Sequence, residues 1–147
     1  MKMKTLVTVL ATGAFFAAAP AFAQTIGNCP TSGNSPQSAP VWVLFDLGSS
    51  ALHASEKPKI AQAVATAKAR QVSVVCVVGN TDKLGDKAMN AKLAAARSQA
   101  VAAEMVRAGL PAKNIVIAAN PEAFGNESLG GADAQVKDRR VTIVFTR

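Results

Sequence analysis

The chain has few of the residues on which catalytic and metal sites are usually built. Its 147 residues include one His, two Cys, one Trp and no Tyr. One His and two Cys are too few for a zinc site made of Cys and His ligands. The G-x-x-x-x-G-K-[ST] pattern of phosphate-binding loops and the G-x-S-x-G pattern of esterases are also missing. These absences favour a binding module over an enzyme, and they predict no cofactor.

Composition and charge narrow the class further. Half of the residues are hydrophobic and 17% are charged, which excludes wholesale disorder, and the length is typical of one domain. The formal net charge is +7, a value that could indicate binding to nucleic acid. An exported chain, however, meets polyanionic envelope material instead. The export signal described next therefore argues against a nucleic-acid partner.

The first 23 residues have the pattern of an export signal. Two lysines lie within the first four residues, an apolar run covers 6–19, and Ala21-Phe22-Ala23 matches the A-x-A cleavage pattern. The apolar run is too short to span a membrane comfortably and ends at Pro20. We expect cleavage before Gln24, a periplasmic mature protein and no transmembrane segment after cleavage.

Residues 24–40 are rich in Gly, Ser, Pro, Asn and Gln, and we interpret them as a flexible leader before a domain at 41–147. Cys29 lies in this leader, and Cys76 lies within the apolar run 72–78. An oxidising compartment would allow a disulfide between them. A buried free thiol at Cys76 fits the apolar run equally well. Both alternatives stay open.

Hydrophobic patterning predicts four strands and two helices in the order β-α-β-α-β-loop-β. The strands are predicted at 41–47, 72–78, 114–119 and 140–145. A second helix is predicted from about Asp86 to a C-terminal glycine at 109. The crossover rule then favours an α+β fold, a two-layer βαβαββ sandwich in which one mixed four-stranded sheet carries both helices on one face.

The first helix is predicted from the spacing of its apolar residues. These residues follow the i, i+3, i+4, i+7 pattern of an amphipathic helix and are Ile60, Ala63, Val64 and Ala67. Ser55 is a candidate N-cap, and Pro58 falls in the first turn, where its missing N–H costs little.

Polar residues of complementary charge are predicted to meet where the second strand ends. Asp82 follows that strand and precedes a helix, a common ligand position in α/β sheets. Asn90, Leu93 and Arg97 project from one side of this helix, and Arg139 is in phase with the core residues of the last strand. Arg pairs with carboxylates and Asp with ammonium groups, so the set suits a zwitterionic ligand. A structural ion pair is the alternative. We expect neither Asp82 nor Arg97 to lie deep in the core.

Several short motifs occur in a characteristic order between Val43 and Phe145. They are Phe45-Asp46, Val78-Gly79-Asn80-Thr81-Asp82, the N-x-x-L-x-x-x-R spacing from Asn90 to Arg97, and Arg139-Arg140-Val141. In this order they resemble the OmpA-like peptidoglycan-binding domain. That family occurs in outer-membrane porins, peptidoglycan-associated lipoproteins and flagellar stator proteins.

The resemblance implies a non-catalytic module that binds peptidoglycan through the diaminopimelate of the stem peptide. In the family, the Asp of the Thr-Asp pair and the helix Arg clamp the free amino-acid end of diaminopimelate. These positions match Asp82 and Arg97. The other family positions fall on Asp46, Thr81, Asn90, Leu93 and Arg139.

Four positions depart from the family pattern. Asn80 stands where the family usually has His, and Ala94 stands where Ser is common. Gln135 replaces an Arg, and Asp138 replaces an Asn next to Arg139. The negative charge at Asp138 could compete for Arg139. The departures leave an alternative function open. In this alternative the protein keeps the fold but no longer binds peptidoglycan, and it binds an outer-membrane or other envelope protein instead.

Overall fold

A computed structural model describes residues 25–26, 29, 39–80, 86–119 and 139–146. Two predicted site residues, Thr81 and Asp82, lie outside the described residues. The departures at Gln135 and Asp138 lie outside them as well.

The first helix, α1, spans Lys57–Ala69 and follows a single 3₁₀ turn at Ala54–Glu56. The four apolar residues that predicted this helix are all buried, as their spacing requires. Ser55 is not the N-cap, because the 3₁₀ turn occupies its position and Glu56 stands immediately before the helix. Pro58 lies in the first turn, where no N–H is needed.

The second helix, α2, spans Lys87–Arg107 and has the predicted ends. The side chain of Asp86 accepts a hydrogen bond from the Met89 N–H at 2.9 Å, which satisfies one of the free donors of the first turn. Beyond the last turn, Gly109 has a φ of +94°, a conformation that residues with a side chain rarely adopt. One face of α2 is buried and packs against the sheet, and its residues are Ala94, Ser98, Val101 and Met105.

Five strands form one mixed sheet. They are β1 (Thr25–Ile26), β2 (Val41–Leu44), β3 (Val74–Gly79), β4 (Ile115–Ala119) and β5 (Arg140–Thr146). Their order across the sheet is β1-β4-β3-β5-β2, so the most apolar strand, β3, lies at the centre. β3 pairs parallel with β4 and antiparallel with β5, and β2 completes the sheet antiparallel to β5. The predicted α+β fold with four main strands and two helices is confirmed.

Two strands differ from the sequence-based expectation. β1 lies within the segment interpreted as a flexible leader, and it pairs parallel with β4 through Thr25↔Val116 and Ile26↔Ile117. Two residues show no periodicity, so this strand leaves no signal in the sequence. β2 ends at Leu44 instead of Leu47, because the chain turns immediately afterwards.

The hydrophobic core lies between the sheet and the two helices. Val75 and Val77 of β3 belong to it, whereas Cys76 points to the opposite face of the sheet because successive strand residues alternate. Cys76 is fully buried and forms a disulfide with Cys29, with a Cα–Cα distance of 5.7 Å. The disulfide therefore attaches the N-terminal segment to the sheet face that lies away from the helices.

Candidate ligand-binding site

The close packing of α2 against the end of β3 determines the position of the candidate site residues on α2. Gly79, the last residue of β3, lies directly under this helix. A Cβ at Gly79 would lie 2.5 Å from Ser98 Oγ and would overlap the Ala94 carbonyl. Both Ala94 and Ser98 are fully buried. Small residues on both elements thus bring the middle of α2, including Arg97, against the sheet.

Arg97 is buried to 1% exposure, so the expectation that it lies outside the core is wrong. Its Nε donates to the Ser49 carbonyl at 2.8 Å, and its Nη2 donates to the Asp46 carbonyl at 2.8 Å. Its Cζ lies 5.4 Å from the centroid of the Phe45 ring. A buried charge is tolerated when its donors are satisfied, and here two carbonyls and an aromatic face contribute to that.

The segment from Phe45 to His53, called here the β2–α1 loop, forms the wall opposite α2. Its first part is a turn in which Ser49 N–H donates to the Asp46 carbonyl at 3.2 Å, with Gly48 at a φ of +66°. The Asp46 carboxylate does not bond to Arg97. It is 71% exposed and lies 2.7 Å from His53 Nε2.

Arg139 contacts Phe45 through the main chain. Its carbonyl accepts a hydrogen bond from the Phe45 N–H at 3.0 Å, so Arg97 and Arg139 both border this one residue. The Nε of Arg139 is buried and has no hydrogen-bond partner among the residues that the structure describes. A buried guanidinium donor of Arg139 that still needs an acceptor suits an anionic group such as a carboxylate.

The structure thus brings three of the predicted site residues, Asp46, Arg97 and Arg139, close to Phe45. Phe45, Asp46, Arg97 and Arg139 meet at the β2–α1 loop. Asn90 and Leu93 are half-buried and lie on α2 within two turns of Arg97. Across the described ranges, no group of three His, Cys, Asp or Glu side chains could hold a metal ion. Within the same ranges, no helix is long and apolar enough to cross a membrane.

Two features of the site were not identified from the sequence. The Ser49 carbonyl, which binds Arg97, comes from 48 residues earlier in the chain. The turn signal Gly48-Ser49-Ser50 is visible in the sequence, but nothing there indicates that the turn faces α2. The pairing of His53 with Asp46 is also absent from any local sequence pattern, because it depends on the fold of the loop.

The chain matches the model of the OmpA family over residues 44–141 and belongs to that family, whose members typically bind peptidoglycan. The resemblance inferred from the motifs is thereby confirmed. No curated protein sequence matches the chain.

Several solved structures share the fold. The peptidoglycan-associated lipoprotein from Burkholderia pseudomallei is 22% identical with a TM-score of 0.63, over 71% of this chain and 89% of that one. The OmpA-like domain of FopA1 from Francisella tularensis is 24% identical with a TM-score of 0.61, over 86% and 90%. The C-terminal domain of Helicobacter pylori MotB is 18% identical with a TM-score of 0.64, over 73% and 84%.

Proposed function

We propose that this protein is a non-catalytic periplasmic module that binds peptidoglycan through the diaminopimelate of the stem peptide. The observation that carries the proposal is that two arginines flank Phe45. The Arg97 guanidinium lies over the Phe45 ring, and Arg139, whose carbonyl binds the Phe45 N–H, has a buried Nε that needs an acceptor. Membership of the OmpA family supports the same ligand class.

The free end of diaminopimelate carries an ammonium and a carboxylate on one carbon, and each needs a partner of opposite sign. Arg97 and Arg139 supply the positive side. Asp82, three residues beyond the end of β3 in sequence, supplies the negative side in this proposal. Thr81, Asn90, Leu93 and the exposed carboxylate of Asp46 are the further candidate contacts.

Substitution of Asp82 by Asn tests the clamp, because it keeps the shape of the side chain and removes its charge. We expect Asp82→Asn to weaken binding of a diaminopimelate-containing peptide by about 2–5 kcal/mol, or ~30-fold to several thousand-fold. Isothermal titration calorimetry measures this loss. Asp86→Asn is the matched control, since Asn also caps helices and the residue stands just before α2. A folded Asp82→Asn protein that binds like the parent would contradict the clamp.

Co-sedimentation with purified peptidoglycan sacculi separates the proposal from a protein-interaction module with the same fold. The parent protein should sediment with the sacculi, and Asp82→Asn should remain in the supernatant. A parent protein that stays in the supernatant would rule out peptidoglycan binding and favour an envelope protein as partner.

Export is tested by the N-terminus of the mature protein. The A-x-A pattern at 21–23 predicts that a periplasmic extract contains a chain that begins with Gln24. N-terminal sequencing or intact mass spectrometry measures this directly. Recovery of the uncleaved chain in the membrane fraction would contradict both the cleavage and the periplasmic location.

A further inference from the structure

Arg97 holds both ends of a single turn. The turn runs from Asp46 to Ser49 and is closed by the hydrogen bond between the Ser49 N–H and the Asp46 carbonyl. Arg97 donates to the carbonyl of the first residue of this turn and to the carbonyl of its last residue, both at 2.8 Å. One planar guanidinium therefore fixes the distance and the orientation between two main-chain groups of the β2–α1 loop.

The geometry of this contact requires an arginine. The Nε–H and an Nη2–H of a guanidinium point in fixed, nearly parallel directions, so they can reach two carbonyls at once. A lysine presents a single nitrogen on a flexible stem and cannot reproduce this fork. The ring of Phe45, 5.4 Å from Cζ, further restricts where the guanidinium can lie.

The turn that Arg97 holds carries two exposed side chains towards solvent. The Asp46 carboxylate is 71% exposed, and Leu47 is 74% exposed. The Asp46 carboxylate contacts the half-exposed ring of His53, and Leu47 extends into solvent. Their placement at the edge of the candidate site depends on the backbone of the turn, and that backbone is bonded to α2 through Arg97.

We propose that Arg97 is a positioning residue, which builds the wall of the ligand site by fixing the Asp46–Ser49 turn against α2 before any ligand is bound. The proposal rests on the proposed function for its consequence in binding, because the turn then presents Asp46 and Leu47 to the stem peptide. When a ligand carboxylate approaches Arg97, the Nε and Nη2 of the guanidinium are already hydrogen-bonded to the carbonyls of Ser49 and Asp46.

Hydrogen exchange of the ligand-free protein tests whether Arg97 fixes the Asp46–Ser49 turn. The Ser49 amide reports on the turn, because it donates to the carbonyl that Arg97 also binds. We expect Arg97→Lys to speed exchange of this amide by at least about tenfold, while amides of β3 and β5 keep the protection of the parent. Arg107→Lys, an exposed position on the same helix, should change neither. Unchanged protection of Ser49 in Arg97→Lys would overturn the proposal.

Chemical rescue separates positioning from a direct contact with the ligand. Ethylguanidinium replaces the part of the side chain that is missing in Arg97→Ala, and ethylammonium supplies the charge without the fork. We expect ethylguanidinium alone to restore both the Ser49 protection and the affinity for a diaminopimelate-containing peptide. Affinity restored without Ser49 protection would assign Arg97 to ligand contact only. If Arg97→Ala does not fold, the exchange experiment on Arg97→Lys decides.

The failure of this inference is distinguishable from the failure of the proposed function. The exchange measurement uses no ligand, so it decides the role of Arg97 in the loop even if the parent protein does not bind sacculi. Conversely, a parent that binds the peptide and an Arg97→Lys variant that loosens the turn but binds equally well would contradict a positioning role in binding.

Discussion

Arg97 shows how a single side chain can join the two halves of a site. Burial of a guanidinium is unfavourable unless its donors are satisfied, and the carbonyls of Asp46 and Ser49 lie at hydrogen-bond distance. Its helical spacing with Asn90 and Leu93 predicted which side of α2 it occupies. The spacing could not predict its depth, because depth is determined by a loop that is distant in sequence.

Gly79 has to be a glycine because α2 packs directly against the main chain of β3 at this position. We predict that Gly79→Ala lowers the free energy of unfolding by about 1–3 kcal/mol, because the added methyl group would overlap the Ala94 carbonyl on α2. The affected neighbour is helix backbone, which cannot move aside as a flexible side chain would. Denaturant-induced unfolding followed by circular dichroism measures the loss.

Gly48→Ala is the comparison for this prediction, because it adds the same methyl group at a glycine with open space around its Cβ position. Its cost comes only from the positive φ, so Gly48→Asn, which tolerates that conformation better, should recover part of the stability. At Gly79 the longer Asn side chain should be worse than Ala. Equal stability of Gly79→Ala and the parent would contradict the close packing of α2 on β3.

At the scale of secondary-structure elements, helices and strands with a long hydrophobic pattern are predictable from the sequence, whereas very short strands are not. Both helices show the apolar spacing that their burial requires, and β3 is recognisable as a central strand from its continuous apolar run. β1 has only two residues and is defined by its partner β4, so no local pattern could reveal it. β2 is shorter than predicted because the Asp46–Ser49 turn takes over the residues that follow.

The start of α2 provides a test of a local interaction. The Asp86 side chain caps the helix through the Met89 N–H, so Asp86→Ala should lower the free energy of unfolding by about 0.5–2 kcal/mol. Asp86→Ser retains an oxygen that can accept the same hydrogen bond and should cost much less. Urea titrations of the two variants measure the difference. Equal losses for Ala and Ser would indicate that the stability does not come from the capping hydrogen bond.

At the scale of the whole molecule, the candidate site is a product of topology. Arg97 comes from α2, Arg139 immediately precedes β5, and Asp46 lies in the loop that follows β2. Only the sheet order brings these strand ends together. The resemblance to a family named most of these residues in advance. The residue types alone could not identify them, because the separation of these residues in the sequence does not show which strand ends are neighbours in the sheet.

The disulfide between Cys29 and Cys76 is expected to stabilise the folded protein. Cys29→Ser should lower the free energy of unfolding by about 2–4 kcal/mol, because the Cys29–Cys76 bond closes a long loop in the unfolded chain. Thiol titration of the denatured, non-reduced parent should count no free thiols. A reducing agent should bring the parent down to the stability of Cys29→Ser and leave that variant unchanged. Two free thiols in the parent would contradict the bond.

The same bond determines how tension would travel through the protein. Cys29 and Cys76 lie 47 residues apart in sequence, and both β2 and α1 lie inside the covalent loop that they close. A pull between residue 25 and β5 first loads the pairing of β1 with β4, and then passes through the sulfur atoms into β3. The covalent path bypasses β2, α1 and the loop between them. The wall of the candidate site therefore stays outside the line of force while the N-terminal segment is stretched.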